Sequence, residues 1–243
     1  MVVDSMSLIV EDLTAGYFPG INIIEDVSLK IEEGKLESII GPNGSGKSTL
    51  LRAIYGLLPP RSGRVLFDNE DITRLKPFQK LAKGIAFIQQ ERSIFPYLTV
   101  WEHLELGGWL IRKDKRKLEK RIEAVLERYP LLQEKASEKA INLSGGMQRM
   151  LELARTQIID PKVIFFDEPT AGLAPIMAKE IYDEISKLKG ERTIIIVDQN
   201  LQAAIELAEY TYVLELGRIR GEGKKEDVMK ALEQIAASWV ALE

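Results

Sequence analysis

One stretch, Gly41-Pro42-Asn43-Gly44-Ser45-Gly46-Lys47-Ser48-Thr49, limits what this chain can fold into more than any other part of it. It matches the pattern G-x-x-x-x-G-K-[ST], and its flanks fit the structural context that pattern needs. Ser38-Ile39-Ile40 reads as the end of a buried strand, and Leu50, Leu51, Ile54 and Leu57 then recur at helical spacing. Strand, glycine-rich loop and helix in that order place backbone N–H groups and a helix N-terminus around a concave anion site. Glycines at 41, 44 and 46 allow a sharp turn and close approach to phosphates. Asn43, Ser45 and Thr49 complete the loop. Lys47 can reach the β- and γ-phosphate oxygens of a nucleotide as a point charge, and the Ser48 hydroxyl can ligate Mg²⁺ beside them.

A second stretch supports this chemistry. Val163-Ile164-Phe165-Phe166 is a continuous apolar run, as expected of a strand buried on both faces, and it ends in Asp167-Glu168. Carboxylates at such a strand end must find water, a metal or a partner. Beside a phosphate loop, Asp167 is expected to hold Mg²⁺ and Glu168 to polarise an attacking water as general base. Thr193 to Val197 is a further buried run, ending at Asp198-Gln199-Asn200. Strand Ile85–Ile88 runs into Gln89-Gln90, at the strand end where open α/β sheets bind ligands. Leu143-Ser144-Gly145-Gly146 opens a helix whose apolar face is Met147, Met150, Leu151, Ala154 and Ile158. Ser144 is its N-cap, and the two glycines leave a bare N-terminus suited to an anion. Tyr17, on a loop upstream of the phosphate motif, reads equally as a ring stacked on adenine and as a loop side chain packed on its neighbours.

Leu8–Leu13 and Val27–Ile31 alternate and point to a small antiparallel β region before the phosphate loop. From about residue 97 to 140 the composition shifts to an inserted helical segment. It contains Trp101, Leu104, Leu106, Trp109 and Leu110, then Arg112-Lys113-Asp114-Lys115-Arg116-Lys117, then Ile122, Val125 and Leu126. The basic cluster reads as a solvated helix end, with anionic lipid headgroups as the alternative. His103 has no His or Cys partner for a metal and reads as structural or surface. Ala178–Leu188, Leu201–Ala208 and Lys225–Val240 read as helices, the last apolar at Val228, Leu232, Ile235 and Trp239. The absence of cysteine excludes disulfides and thiolate metal sites. A net charge of −4 argues against wrapping nucleic acid by bulk charge, so no nucleic-acid partner is expected. Apolar runs are strand-sized and the first residues do not form a signal peptide, so a soluble chain, or one held at a membrane through partners, is expected.

Taken together, these motifs resemble the ABC-type ATPases, the nucleotide-binding subunits of ATP-binding-cassette transporters, over essentially all 243 residues. The resemblance implies an α/β fold: a P-loop NTPase (RecA-like) core with an N-terminal antiparallel β region and an inserted α-helical subdomain. It implies one domain, with residues 1–90 and 160–243 forming the core and β region and residues 91–159 the helical signature subdomain. Leu143-Ser144-Gly145-Gly146 resembles the family's signature motif, which places Ser144, Gly145 and Gly146 on ATP held by a second cassette. Gln90 looks like the Q-loop glutamine, which places it at ATP and, with Ser48 and Asp167, at Mg²⁺. Tyr17 looks like the adenine-stacking aromatic, Glu168 like the catalytic base, and Ala171 to Pro175 sits where the family has its D-loop. ATP and Mg²⁺ are therefore the implied cofactors. Arg92–Val100, Gly172-Leu173-Ala174-Pro175 and Val197-Asp198-Gln199-Asn200 look like the second ATPase subunit of branched-chain amino-acid importers. That implies an ATPase dimer, with itself or a sister subunit, on the cytoplasmic face of the cell membrane. Its partners would be integral-membrane permeases and, indirectly, a solute-binding protein. Lipopolysaccharide-export ATPases share part of the middle segment. Soluble ABC-type ATPases of DNA repair, chromosome organisation or cofactor assembly are the rival reading. Two positions depart from the common pattern: Gln199 replaces the switch histidine at the γ-phosphate, as the branched-chain subgroup also has it, and Met147 stands where Glu is commoner.

Overall fold

The computed structural model describes residues 7–230 and 232. Their strands form two sheets. The first joins β1 (Ser7–Ala15), β2 (Ile24–Glu32), β4 (Ser62–Phe67) and β5 (Glu70–Asp71) antiparallel, in the order β2-β1-β4-β5. In the second, β3 (Leu36–Ile40), β6 (Ile85–Ile88), β7 (Val163–Asp167), β8 (Thr193–Val197) and β9 (Tyr210–Glu215) run parallel. There β10 (Arg218–Gly223) returns antiparallel along β9, giving the order β10-β9-β3-β8-β7-β6. Helices α1 (Lys47–Tyr55), α7 (Pro175–Lys187) and α8 (Leu201–Leu207) follow β3, β7 and β8. Parallel strands need such crossovers, and they bring the C-terminal ends of β3, β6, β7 and β8 to one rim.

The central strands are apolar throughout because both faces are covered. Phe165, Ile195 and Val197 pack with Leu8, Val10 and Ile31 of the antiparallel sheet and with Leu50 and Ile54 of α1. Ile164, Phe166, Ile194 and Ile196 point the other way, into a second core. The period-2 alternation of strand side chains thus divides one run between two cores. The second core is roofed by α3 (Val100–Gly107), α4 (Lys115–Arg128), α5 (Pro130–Gln133) and α6 (Gly145–Gln157), which follow α2 (Pro77–Ala82) and β6. Leu118, Ile122, Val125 and Leu126 of α4 and Leu151 and Ala154 of α6 enter it at helical spacing. Full burial of each large side chain contributes about 1.5–3 kcal/mol. Helix α3 starts with a reciprocal cap: Thr99 Oγ1 accepts from the Glu102 N–H at 3.2 Å, and Glu102 Oε2 accepts from the Thr99 N–H at 2.7 Å.

His103 is structural and fully buried. Its Nε2 accepts the Phe95 N–H at 3.0 Å, and its Nδ1 lies 2.8 Å from the Thr99 carbonyl, which requires a proton on Nδ1. Leu57 does not extend the first helix. That helix stops at Tyr55, Gly56 caps it in the left-handed conformation, and Leu57 is exposed. In the last expected helix, residues 225–230 are helical and Val228 is buried, whereas Ile235 and Trp239 lie outside the described residues.

Candidate active site

The phosphate motif leaves β3 at Ile40 and becomes α1 at Lys47. Gly41 has φ +155°, and a Cβ there would lie 2.0 Å from the Leu214 carbonyl oxygen, so the bend between strand and loop requires glycine. Ser45 N–H donates to the Pro42 carbonyl at 3.2 Å, and Gly217 N–H donates to the Ser45 carbonyl at 3.0 Å, which ties the loop to the β9–β10 turn. Asn43 and Gly44 are exposed at its tip. The first turn of α1 carries no acid and its N-cap makes no side-chain hydrogen bond, so its amides remain a positive pole. Lys47 is buried, and its Nζ donates to the carbonyls of Gly41 at 2.8 Å and Pro42 at 3.0 Å. Burial draws its pKa below the usual lysine range, against the opposing pull of Glu168, Asp167 and Asp198. Tyr17 stands beside this helix, about half exposed. Its hydroxyl accepts from Arg52 Nη1 at 3.3 Å and from Thr49 Oγ1 at 3.5 Å.

The acidic pair meets this loop from β7. Asp167 is fully buried, and the Ser48 hydroxyl donates to its Oδ1 at 2.7 Å. Burial raises the Asp167 pKa, partly offset by that hydrogen bond. Glu168 has φ +48°, a strained backbone for a residue with a Cβ, costing about 1–3 kcal/mol. Its N–H is held by the Val197 carbonyl at 2.8 Å. Its Oε2 accepts from Gln90 Nε2 at 2.7 Å and Gln199 Nε2 at 2.6 Å. Lys47, Ser48, Gln90, Asp167, Glu168 and Gln199 therefore converge on one rim.

Ser144, Gly145 and Gly146 do not join that group: among the described residues, no hydrogen bond links them to the phosphate loop. Ser144 caps α6 by accepting from the Met147 N–H at 3.3 Å, and no acid occupies the first turn. A Cβ at Gly146 would meet only the flexible Met177 side chain, which lies against the signature turn.

The sequence reading missed the groups that join these parts. Arg149 is buried on α6. It donates to the carbonyls of Pro169 at 2.7 Å, Gln89 at 2.9 Å and Glu168 at 3.2 Å, and to Glu152 Oε2 at 2.8 Å. The other oxygen of Glu152 accepts from the backbone N–H of Ser93. One guanidinium thus ties the signature helix to the strand end before Gln90 and to the main chain of Glu168. The available signal was a charged pair at i,i+3 next to an apolar helix face. Asp198, read from the sequence only as part of a strand end, also has a tertiary role. It is buried and accepts from Tyr182 Oη at 2.8 Å and from Thr170 Oγ1 at 3.3 Å, which anchors the segment after Glu168 to the end of β8.

The sequence model of the ABC transporter family matches residues 24–171, from β2 through the phosphate loop and signature turn to the acidic pair. The chain belongs to the ABC transporter family. Among its relatives in that family is a probable branched-chain amino acid transport ATP-binding protein, LivF, of Archaeoglobus fulgidus, 38% identical over 90% of this chain and 92% of the relative. The high-affinity branched-chain amino acid transport ATP-binding protein BraG of Pseudomonas aeruginosa is 37% identical over 86% and 89%. The solved ADP conformation of MJ1267, an ATP-binding cassette of an ABC transporter, superposes with a TM-score of 0.85 at 31% identity over 98% of both chains. The fold is accordingly that of a P-loop NTPase cassette, with the antiparallel sheet and the helices described above.

Proposed function

We propose that this chain is the ATP-binding and ATP-hydrolysing subunit of a membrane transporter, energising uptake of branched-chain or related amino acids. The observation that carries the ATPase reading is the meeting of Ser48–Asp167 with a carboxylate held by two amides, all beside Lys47. The solute reading is supported by the two branched-chain relatives and by Gln199.

The residues present fit ATP with Mg²⁺. Among the described residues, the buried oxygens Asp167 Oδ2 and Ser45 Oγ have no hydrogen-bond partner, and a buried oxygen normally has one. A carboxylate oxygen beside a hydroxyl suits a hard divalent cation, and a loop hydroxyl next to a helix N-terminus suits phosphate. Ser48 and Asp167 would hold Mg²⁺, with Gln90 at its edge, and when bound the ion would neutralise charge on the phosphate oxygens. Lys47 and the amides of Gly44 to Thr49 bind the phosphates, while Tyr17 offers its ring to the base. Glu168 accepts the proton of the attacking water, whose oxygen bonds to the γ-phosphorus as ADP leaves. Gln90 and Gln199 both occupy Oε2, so Oε1 is the oxygen left for that proton. A positioned base of this kind contributes about 10²–10⁴-fold.

The signature turn of a second cassette supplies Ser144, Gly145 and Gly146 to the same nucleotide, so the working unit is a dimer, with itself or with a sister subunit. Residues 1–90 and 160–243 act as the nucleotide core and residues 91–159 as the moving helical subdomain. Tyr55 and Phe87 on the core side and Phe95, Leu106, Gly107 and Arg155 on the helical side line a groove of about 400 Å³. A permease segment fits there, next to the Gln90 stretch. No described helix is long and apolar enough to cross a membrane. Under the transport reading, the chain attaches peripherally through such permeases, on the cytoplasmic face. The test is Mg²⁺-dependent phosphate release by the purified chain, paired with capture of tagged chain from native membranes solubilised in mild detergent. Two polytopic permeases and a second ATPase among the captured proteins would support the transport reading. Exclusively soluble partners would overturn it, and absence of ATP turnover by the captured complex would overturn the ATPase reading.

A further inference from the structure

The corner between α3 and α4 carries a charge opposite in sign to that of the whole chain. Seven basic and two acidic residues lie between Trp109 and Arg121, in a protein of net charge −4. Arg112, Lys113, Lys115, Arg116, Lys117 and Lys120 are exposed, and none pairs with a carboxylate among the described residues. Of the basic set only Arg121 has such a partner, Asp160 at 3.0 Å. One of the two acids, Asp114, is engaged as the N-cap of α4, accepting the Lys117 N–H at 3.0 Å. Arg116, Lys117, Lys120 and Arg121, with Asp114, line an open notch of about 560 Å³ that no apolar residue enters.

A face made only for water would need no large apolar groups beside it. Here the turn Trp109–Ile111 precedes the basic run, with Trp109 59% and Leu110 43% exposed. The Arg112 guanidinium lies 4.2 Å from the centre of the Trp109 ring and donates to the Trp109 carbonyl at 2.8 Å, so ring and charge are held together. Leu106 and Gly107, just before this turn, line the groove assigned above to a permease segment. The corner is thus joined directly, through Leu106 and Gly107, to the groove that the transport reading gives to a permease.

We propose that Trp109, Leu110 and the basic N-terminal half of α4 form a docking surface for an anionic lipid bilayer. Headgroup phosphates sit against Arg116, Lys117 and Lys120, while Trp109 and Leu110 enter the headgroup–acyl boundary, the division of labour typical of interfacial anchors. This proposal rests on the transport reading, because only a membrane-bound complex brings the corner to lipid.

Co-sedimentation of the full chain with two kinds of vesicle, phosphatidylcholine alone and phosphatidylcholine containing phosphatidylglycerol, tests it. The expected result is at least about tenfold stronger partitioning onto the anionic vesicles at low salt, reduced by added salt. The triple variant Arg116→Glu, Lys117→Glu, Lys120→Glu should fall to the phosphatidylcholine level. Trp109→Ser should lose about threefold at unchanged charge. These side chains are exposed, so circular dichroism and ATP turnover should match the parent. Equal binding to both vesicles, or undiminished binding by either variant, would overturn the proposal. So would loss of permease capture by the triple variant with vesicle binding intact, which would give the basic face to an acidic protein segment. Vesicle binding that fails while permeases are still captured would sink the lipid contact alone. Failure of both would sink the transport reading with it.

Discussion

Gln199 Nε2 stands 2.6 Å from Oε2 of Glu168, and Gln90 Nε2 reaches the same oxygen from the opposite segment at 2.7 Å. Two neutral amides hold the carboxylate proposed as general base. An amide neither gains nor loses a proton in the working range, so this clamp has the same charge at every pH where the fold persists.

That constancy can be read in a pH–rate profile. Gln199→Ala should lower kcat about tenfold, because one of the two donors orienting Glu168 is lost. Gln199→His should restore much of the rate and add an inflection near pH 6.5 that the parent lacks. Steady-state ATPase assays from pH 5.5 to 8.5 measure both. A parent enzyme with the same inflection would show that it arises elsewhere.

Glu168→Gln should cut turnover about 10²-fold or more while leaving ATP binding intact, since the amide cannot take the proton of water. The substituted side chain still presents an acceptor to Gln90 and Gln199, so the fold should survive. Equilibrium binding of a fluorescent ATP analogue, set beside single-turnover hydrolysis, separates the two effects. A loss below tenfold would remove Glu168 from the role of base.

Arg149→Met should destabilise the chain by about 3–5 kcal/mol, because it leaves the buried Glu152 carboxylate without its cation and three carbonyls without a donor. Glu152→Gln should be milder and should speed exchange of the Ser93 amide, which Glu152 holds. Urea unfolding and hydrogen exchange report the two. Equal unfolding midpoints for Arg149→Met and the parent would contradict the buried-charge argument.

Glu37 gives stability a pH dependence remote from the nucleotide. Its carboxyl is buried, accepts the Glu32 N–H at 2.9 Å, and is pushed up to about 7 by burial. The folded chain thus binds this proton more tightly than the unfolded chain does. The contribution is fully present below about pH 4.5 and is lost as pH rises to about 7, up to roughly 3 kcal/mol in all. Glu37→Gln keeps an acceptor for Glu32 but does not ionise, so it should stabilise the chain at pH 8 and change little at pH 4.5. Urea titrations at both pH values check this. An equal effect at the two would refute the linkage.

The groups visible in the sequence were those whose chemistry needs a local pattern. A phosphate cradle is written in consecutive residues from Gly41 to Thr49, and an acid pair stands out at the end of an apolar run. The roles of Arg149, Glu152 and Asp198 were not visible for a different reason. Their partners are backbone groups or side chains of segments distant in the chain, such as Gln89, Ser93 and Pro169. A backbone carbonyl has no letter of its own, and Arg and Glu three residues apart on a helix usually mean a solvated pair. Leu57 was misplaced because spacing alone does not weigh the Gly56 cap that ends α1.

The sheet order also has a consequence for how the protein is made. Strand β3 carries the phosphate loop, yet its partners are β8 and β9, whose residues begin at 193 and 210. On a ribosome the strand waits while about 150 further residues are added, roughly 8–30 s at ordinary elongation speeds. Through that interval Leu36 to Ile40 has neither ladder neighbour, so the nucleotide loop reaches its working shape only near the end of translation.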